Sequence, residues 1–335
     1  MPTMKDVARV ARVSLATVSA ALSGAAYVSP ELKSRVHAAV DALGYAPNTI
    51  ASGFKKGTMA LIGLIVPDIT NPFYTELVHV AQRRARQLGY SVLLCDSEED
   101  ADRERDLVRL MRAHRAAGTI LCPCGADEAY ADFEVRLGAM PVVTVDHAIP
   151  GGMHDRVLLD NAGAAALATQ HILGFGHRRI GTVAGPEHRL PGRDRLQGFL
   201  DTLQAAGIAA NPELICRGGF READAFDAAG TLLALPKRPT ALFVANNHML
   251  IGVMRAIAAA GLSCPRDISV ASIDDFPWAP AFTPALTTVR QPVEAMAEAA
   301  LAMLLERVAG HAGPGRTQRF QSELVIRQSC AAPIT

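Results

Sequence analysis

Apolar positions recur at helical spacing in three short runs at the start of the chain, then alternate between strand-like and helical runs through the remainder. In the first run Met4, Val7, Ala8 and Ala11 share one helix face, and Thr3 stands as cap with Asp6 three residues on, a carboxylate version of the capping box. Ser14 can cap a second helix with Val18, Ala21 and Leu22 inward, which leaves Leu15, Ala16, Thr17 and Ser19 outward near its N-terminus. A third helix has Ser29 as cap, Pro30 at its first position, a stripe of Leu32, Val36, Ala39, Val40 and Leu43, and Gly44 as stop. The pattern predicts an all-α helix-turn-helix head, whose second helix would enter a DNA major groove by its N-terminal end.

From Thr58 the pattern changes to buried-strand runs separated by amphipathic helices, the arrangement of parallel sheets with crossover helices. Strands are predicted at 61–66, 91–95, 118–122, 141–145, 179–184, 214–217, 241–245, 269–274 and 287–290, with a last one around 321–327. Helices are predicted at 72–88, 101–113, 161–173, 193–206, 223–234 and 249–260, and after Pro292. Two such sets imply an α/β body of two doubly wound subdomains. The expected division is a head at 1–46, a linker at 47–57 and a body at 58–335, with one subdomain at about 58–160 and 291–318 and the other at about 161–290 and 319–335.

The 335 residues are half hydrophobic, enough for two or three domains with a large core. The longest aliphatic run, Leu61 to Val66, is far shorter than the roughly 20 residues of a membrane span, and the N-terminus has no apolar signal core, so no membrane partner and a cytoplasmic location are expected. Net charge is zero but unevenly placed. Up to Gly57, seven cations (Lys5, Arg9, Arg12, Lys33, Arg35, Lys55 and Lys56) oppose Asp6, Glu31 and Asp41, leaving the head at +4 and the rest at −4. A cationic head on an acidic body suits contact with DNA phosphates. The cysteines 95, 122, 124, 216, 264 and 330 are scattered in or beside apolar runs and read as reduced; no second Cys or His pair accompanies Cys122 and Cys124, so no metal or cofactor is expected.

Thr3 to Ser23, Val28-Ser29-Pro30 and Gly44-Tyr45-Ala46-Pro47-Asn48 resemble the start of a LacI/GalR (lactose-repressor type) transcription regulator. The resemblance runs on through Val66-Pro67-Asp68-Ile69-Thr70-Asn71-Pro72-Phe73, Asp160-Asn161, Gly176-His177-Arg178, Ala184-Gly185-Pro186, Val244-Ala245-Asn246 and Pro284 to Val289, and so covers nearly the whole chain. It implies a periplasmic-binding-protein-like body with three crossovers and a ligand cleft between its subdomains. It also implies a linker helix that orders on DNA and wedges an apolar side chain into the minor groove, with Phe54 in the wedge position. Gly53 and Ser52 make that helix dependent on its partner for order, since isolated helices of such length are marginal in water.

The DNA-binding residues so implied are Thr3, Ser14, Thr17 and Ser29 on phosphates or backbone, Leu15, Ala16 and Ser19 on base edges, and Asn48, Ala51 and Phe54 in the linker. Arg12 replaces the usual turn glycine and Ala20 a base-reading arginine, which shifts specificity toward the linker and DNA shape. Ligands of open α/β sheets lie beyond the carboxyl ends of the strands. Asn71, Phe73, Tyr74, Asp146, Phe220, Asn246 and Asp274 follow strands, and Arg195 lies early in a helix. By family position Arg195, Asn246 and Asp274 are polar clamps and Phe73 and Phe220 apolar walls; Asn247 replaces a usual aspartate, and Trp278 adds an aromatic near the cleft.

The expected function is a sequence-specific DNA-binding regulator, a repressor, acting as a homodimer or dimer of dimers on operator DNA and tuned by a carbohydrate effector (a sugar, sugar acid or polyol). A purine or nucleoside is the alternative effector, because Phe73, Tyr74 and Phe220 could stack on a ring. An enzyme is disfavoured: no G-x-G-x-x-G, Walker A, G-x-S-x-G or H-E-x-x-H stands at a suitable strand–helix junction. A stand-alone solute-binding protein would share the body but would need an export signal and would lack the head.

Overall fold

The computed structural model describes residues 2–23, 27–45, 59–133, 137–149 and 154–334. Contacts divide the chain into two compact units, Met1–Met59 and Ala60–Thr335. No helix among the described residues is long and apolar enough to cross a membrane.

The first unit holds helices α1 (Met4–Ala11), α2 (Leu15–Ser23) and α3 (Pro30–Leu43). The Asp6 carboxylate accepts from both the backbone N–H and the hydroxyl of Thr3, closing the first turn. Ser14 Oγ accepts from the Thr17 N–H at 3.0 Å, and Ser29 Oγ from that of Leu32. Val7, Ala8, Ala11, Val18, Ala21, Val36, Ala39 and Tyr45 form the small core. Arg12, standing where a glycine is usual, takes the left-handed conformation (φ 51°), which costs a side-chain-bearing residue about 1–2 kcal/mol. The Arg35 guanidinium donates to the carbonyls of Ala11 (2.6 Å) and Arg12 (3.3 Å), so α3 holds the strained turn in place.

The second unit runs, in chain order, β1 (Leu61–Val66), α4 (Pro72–Gln87), β2 (Ser91–Asp96), α5 (Ala101–Ala113), β3 (Gly118–Leu121), β4 (Val142–Val145), β5 (Asp155–Leu159), α6 (Asn161–Gly174), β6 (Ile180–Ala184), α7 (Leu190–Ala205), β7 (Ile215–Arg217) and α8 (Glu222–Leu233). It continues with β8 (Ala241–Val244), α9 (Asn247–Ala259), β9 (Ser269–Ile273), β10 (Thr287–Arg290), α10 (Val293–Val308), β11 (Thr317–Phe320) and β12 (Glu323–Val325). One six-stranded sheet has the order β11-β5-β4-β3-β1-β2 and is wholly parallel. The other has the order β12-β10-β9-β8-β6-β7 and is parallel except where β12 runs antiparallel to β10. The chain passes between the sheets three times: after β5, after β10 and after β11.

Two strands escaped the hydrophobic pattern. β5 opens on Asp155-Arg156 and gains its place only by lying between β4 and β11. β11, Thr317-Gln318-Arg319-Phe320, is an exposed edge strand with no apolar face to betray it. Helix α7 starts at Leu190 rather than Arg193, because Pro191 is tolerated in a first turn where no N–H bond is needed. The strand expected at 321–327 is confined to Glu323–Val325. The six cysteines are unpaired, with Cys122, Cys124 and Cys330 buried.

Candidate functional site

The loops at the carboxyl ends of both sheets face one another across a cleft in the second unit. All eight residues singled out there, Asn71, Phe73, Tyr74, Asp146, Arg195, Phe220, Asn246 and Asp274, line one cavity. Five further lining residues were not foreseen: Asp68, Glu99, Arg189, Pro191 and Gln291. The cavity's volume is about 30 Å³, an order of magnitude below the roughly 300 Å³ at which ligand pockets usually begin. A ligand of monosaccharide size therefore needs the cleft to widen.

Arg195, only 3 % exposed, is the centre of the polar network. Its Nε donates to Asn161 Oδ1 (2.8 Å) and its Nη1 to the Ala245 carbonyl (2.7 Å) and to Asp274 Oδ2 (3.3 Å). Gln291 Nε2 donates to the other Asp274 oxygen, while Gln291 Oε1 is buried with no partner among the described residues. Asn161 and Gln291 stand at two of the three passages between the sheets, so the chain's hinge points fix the charged pair. A sequence signal for Gln291 existed: it lies between a strand and a helix, as the other candidates do, at one of the crossovers.

Asp146, after β4, accepts from the Tyr74 hydroxyl at 3.2 Å. Burial raises its carboxyl to about 6; Arg195 pulls it down, and Asp274 pushes it up again. Burial, then the Asp146 charge, raises the Tyr74 phenol well above its ordinary value. Phe73 and Tyr74 meet edge to face, with ring centroids 4.9 Å apart. The Phe220 ring lies over Gly185, where a Cβ would collide with it, and the Arg195 guanidinium sits 5.9 Å from the ring centroid. Asp146, Phe220 and Asp274 all have positive φ (70°, 62° and 70°), as does Glu99 (59°). Four of the seven described non-glycine residues in that region thus line this one cavity, a concentration of backbone strain typical of functional sites.

Asn71 and Asn246 also have structural duties, capping α4 and α9 through bonds to the N–H groups of Phe73 and Met249. Asn247, where the resemblance implies an aspartate, donates its amide across the cleft to Asn71 Oδ1 at 3.2 Å, which an aspartate could not do. Trp278 does not join the cavity; it is half-exposed and packs on Phe276.

Glu99, beyond β2, is clasped by two arginines of the other subdomain, Arg189 (3.0 Å) and Arg221 (3.1 Å). Arg189 also donates to the Cys124 carbonyl. The Leu190 N–H reaches across to His147 Nδ1 at 3.0 Å, and His248 lies 3.5 Å from Asp68. These contacts latch the cleft shut. Glu99→Gln should release it, and exchange of the Leu190 amide should accelerate about tenfold, the worth of one charge-assisted bond; unchanged protection in hydrogen-exchange mass spectrometry would show that Glu99 is no latch.

In the first unit the candidate DNA face is at the start of α2. Leu15 is 43 % exposed, Ala16 and Ser19 are exposed, and Thr17 is half-buried with its hydroxyl 2.8 Å from that of Ser14. Thr3 is exposed at the start of α1, and Ser29 half-buried at that of α3. Asn48, Ala51 and Phe54, with the linker helix expected around them, lie outside the described residues.

Comparison with known proteins places these features. Residues 3–48 match the family model described as bacterial regulatory proteins, lacI family, and residues 169–330 that of a periplasmic binding protein-like domain. The chain is 34 % identical to an HTH-type transcriptional repressor PurR of Photobacterium profundum over 98 % of both chains. It is 36 % identical to the ribose operon repressor of Escherichia coli K12 over 92 % of this chain and 93 % of that one. Among solved structures, the lac repressor dimer bound to operator and the anti-inducer ONPF is similar with a TM-score of 0.88, 28 % identity and 99 % coverage of both chains. A transcriptional regulator CelR–cellobiose complex is similar at 0.75 with 27 % identity, over 98 % of this chain and 100 % of that one.

Proposed function

Because the chain belongs to the LacI family of bacterial regulatory proteins, we propose that it is a homodimeric repressor whose hold on operator DNA is set by a small, neutral, hydroxyl-rich metabolite of monosaccharide size, bound in the cleft of its body. One observation carries the choice of ligand. Both guanidinium charges of the cavity are already paired, Arg195 with Asp274 and Arg189 with Glu99, whereas the Asp68 and Asp146 carboxylates accept from the hydroxyls of Thr70 and Tyr74 and have lone pairs for further donors. Such a site wants hydroxyl donors and has no spare cation for a sugar acid or sugar phosphate. The named target of the ribose operon repressor supports a pentose as the first ligand to try.

A purine base or nucleoside is the second reading, supported by the Phe73, Tyr74 and Phe220 rings and by the PurR relative. In this reading of the head, Leu15, Ala16 and Ser19 face base edges, Thr3, Ser14, Thr17 and Ser29 hold the backbone, and Asn48, Ala51 and Phe54 act in the minor groove. The protein acts in the cytoplasm, where its operator is.

Calorimetric titration of the full chain with neutral pentoses and hexoses, sugar acids, purine bases and nucleosides separates the readings. Gel-shift titrations with and without the ligand found should show operator affinity changing with it and falling steeply with salt. Binding of acids but not neutral sugars or purines would refute the ligand reading; a ligand without effect on operator affinity would refute the coupling.

A further inference from the structure

A second cavity, of about 210 Å³, lies between the two subdomains of the body and shares no lining residue with the first. The β5 subdomain contributes His147, Ile149 and Arg156, and the α7 subdomain His188, Leu190 and Arg193. Its lining is rich in donors: two cationic guanidinium groups and two imidazoles stand against a single lining carboxylate, the exposed Asp127. Arg193 is well exposed and meets its neighbour Asp194 at a long 3.4 Å.

His147 supplies an independent pointer. It is 3 % exposed, and its Nδ1 accepts the Leu190 N–H at 3.0 Å. That bond fixes the neutral tautomer with its hydrogen on Nε2. This Nε2–H is buried and has no acceptor among the described residues, a state that costs about 1–3 kcal/mol if nothing answers it. Burial, and then Arg189, Arg193 and His188, hold the ring's pKa down to about 4, so the ring remains an uncharged donor. Helix α7 begins at Leu190, and its N-terminal dipole adds positive potential at the same place.

We propose that this cavity is a second ligand site, for an oxyanion of phosphate or carboxylate type, held by Arg193, Arg156 and His188 with the His147 Nε2–H as donor. Because its walls come from both subdomains, the occupied site favours the shut cleft. It is independent of which metabolite fills the first cavity.

The test is a titration of the full-length protein, at constant ionic strength against chloride, followed by the histidine ring signals in NMR spectra, with His147→Gln and His188→Gln identifying the two resonances. Three probes distinguish the source: inorganic phosphate, glycerol 3-phosphate and citrate. Saturable movement of both signals with any of them, weakened at least about tenfold in Arg193→Ala by loss of one charge-assisted bond, supports the site, and the probe that binds tightest names the chemistry. Arg193 is a surface side chain whose loss leaves the fold intact. Signals that stay put with all three probes, or that move equally in Arg193→Ala, overturn the proposal.

Discussion

Replacing Arg195 with alanine should abolish the response to the cleft ligand and destabilise the body by about 3–5 kcal/mol, the usual cost of stripping one partner from a buried ion pair. Arg195 and Asp274 are both almost wholly buried, at 3 % and 6 % exposure, and the guanidinium reaches three acceptors on different segments of the chain. Without it, Asp274 and Asp146 face one another with less cationic relief, and the Asp146 carboxyl, already at about 6, moves higher. Arg195→Lys keeps the charge but not the fork, and one ammonium cannot span the three acceptors. It should fold, and ligand affinity should fall about 100-fold, equivalent to roughly 2.7 kcal/mol. Operator affinity without ligand should stay near wild type in Arg195→Lys, because the head is a compact unit of its own. Calorimetry and gel shifts on the same preparations measure both; a lysine variant with wild-type ligand affinity would remove Arg195 from the site. Wild-type affinity should also weaken as pH falls below about 6, since ionised Asp146 accepts a ligand hydroxyl's bond more strongly than the protonated carboxyl does.

Asp155→Asn should be the most destabilising conservative change away from the cleft, again by about 3–5 kcal/mol. This carboxylate is fully buried, yet it accepts from Arg307 Nε (3.0 Å) and Nη2 (2.7 Å), from Arg316 Nη2 (2.7 Å) and from the Arg316 backbone N–H (2.8 Å). It thereby ties the end of α10 and the approach to β11 onto β5, the strand where the chain makes its first passage between sheets. An asparagine offers one oxygen where two were used and turns an amide toward two guanidinium groups. Burial alone would raise the Asp155 carboxyl, but the bonds from Arg307 and Arg316 outweigh it and hold it far below the usual range. Asp275 behaves alike: against its burial, bonds from Arg327, Thr288 and Arg290 pull it to about 2. A depressed folded-state pKa contributes stability that is complete above the unfolded value of about 4 and is lost as pH falls toward the folded value. Urea midpoints should therefore decline in wild type from about pH 4 downward, with a shallower decline in Asp155→Asn. Equal midpoints for both proteins at pH 7 would show the arginine clasp to be energetically idle.

The sequence by itself determined the parts whose physics is local. Caps such as Thr3, Ser14, Ser29 and Asn71, the stop at Gly44, and the apolar runs of the central strands are written in neighbouring residues, because helices answer to spacing and caps within a turn or two. The rule that ligands lie beyond strand ends, with the family likeness, was enough to gather eight cavity residues from positions scattered between 71 and 274. What only the tertiary structure decided is how those groups are used. Nothing near Arg189 in sequence reveals that Glu99 and Cys124 engage it, nor that Asn247 reaches Asn71 across the cleft. Edge strand β11 and the charged β5 exist through their partners rather than through their own periodicity. Hydrogen bonds and ion pairs between residues a hundred positions apart leave no trace in local pattern, and in this body they set the charge left over for a ligand.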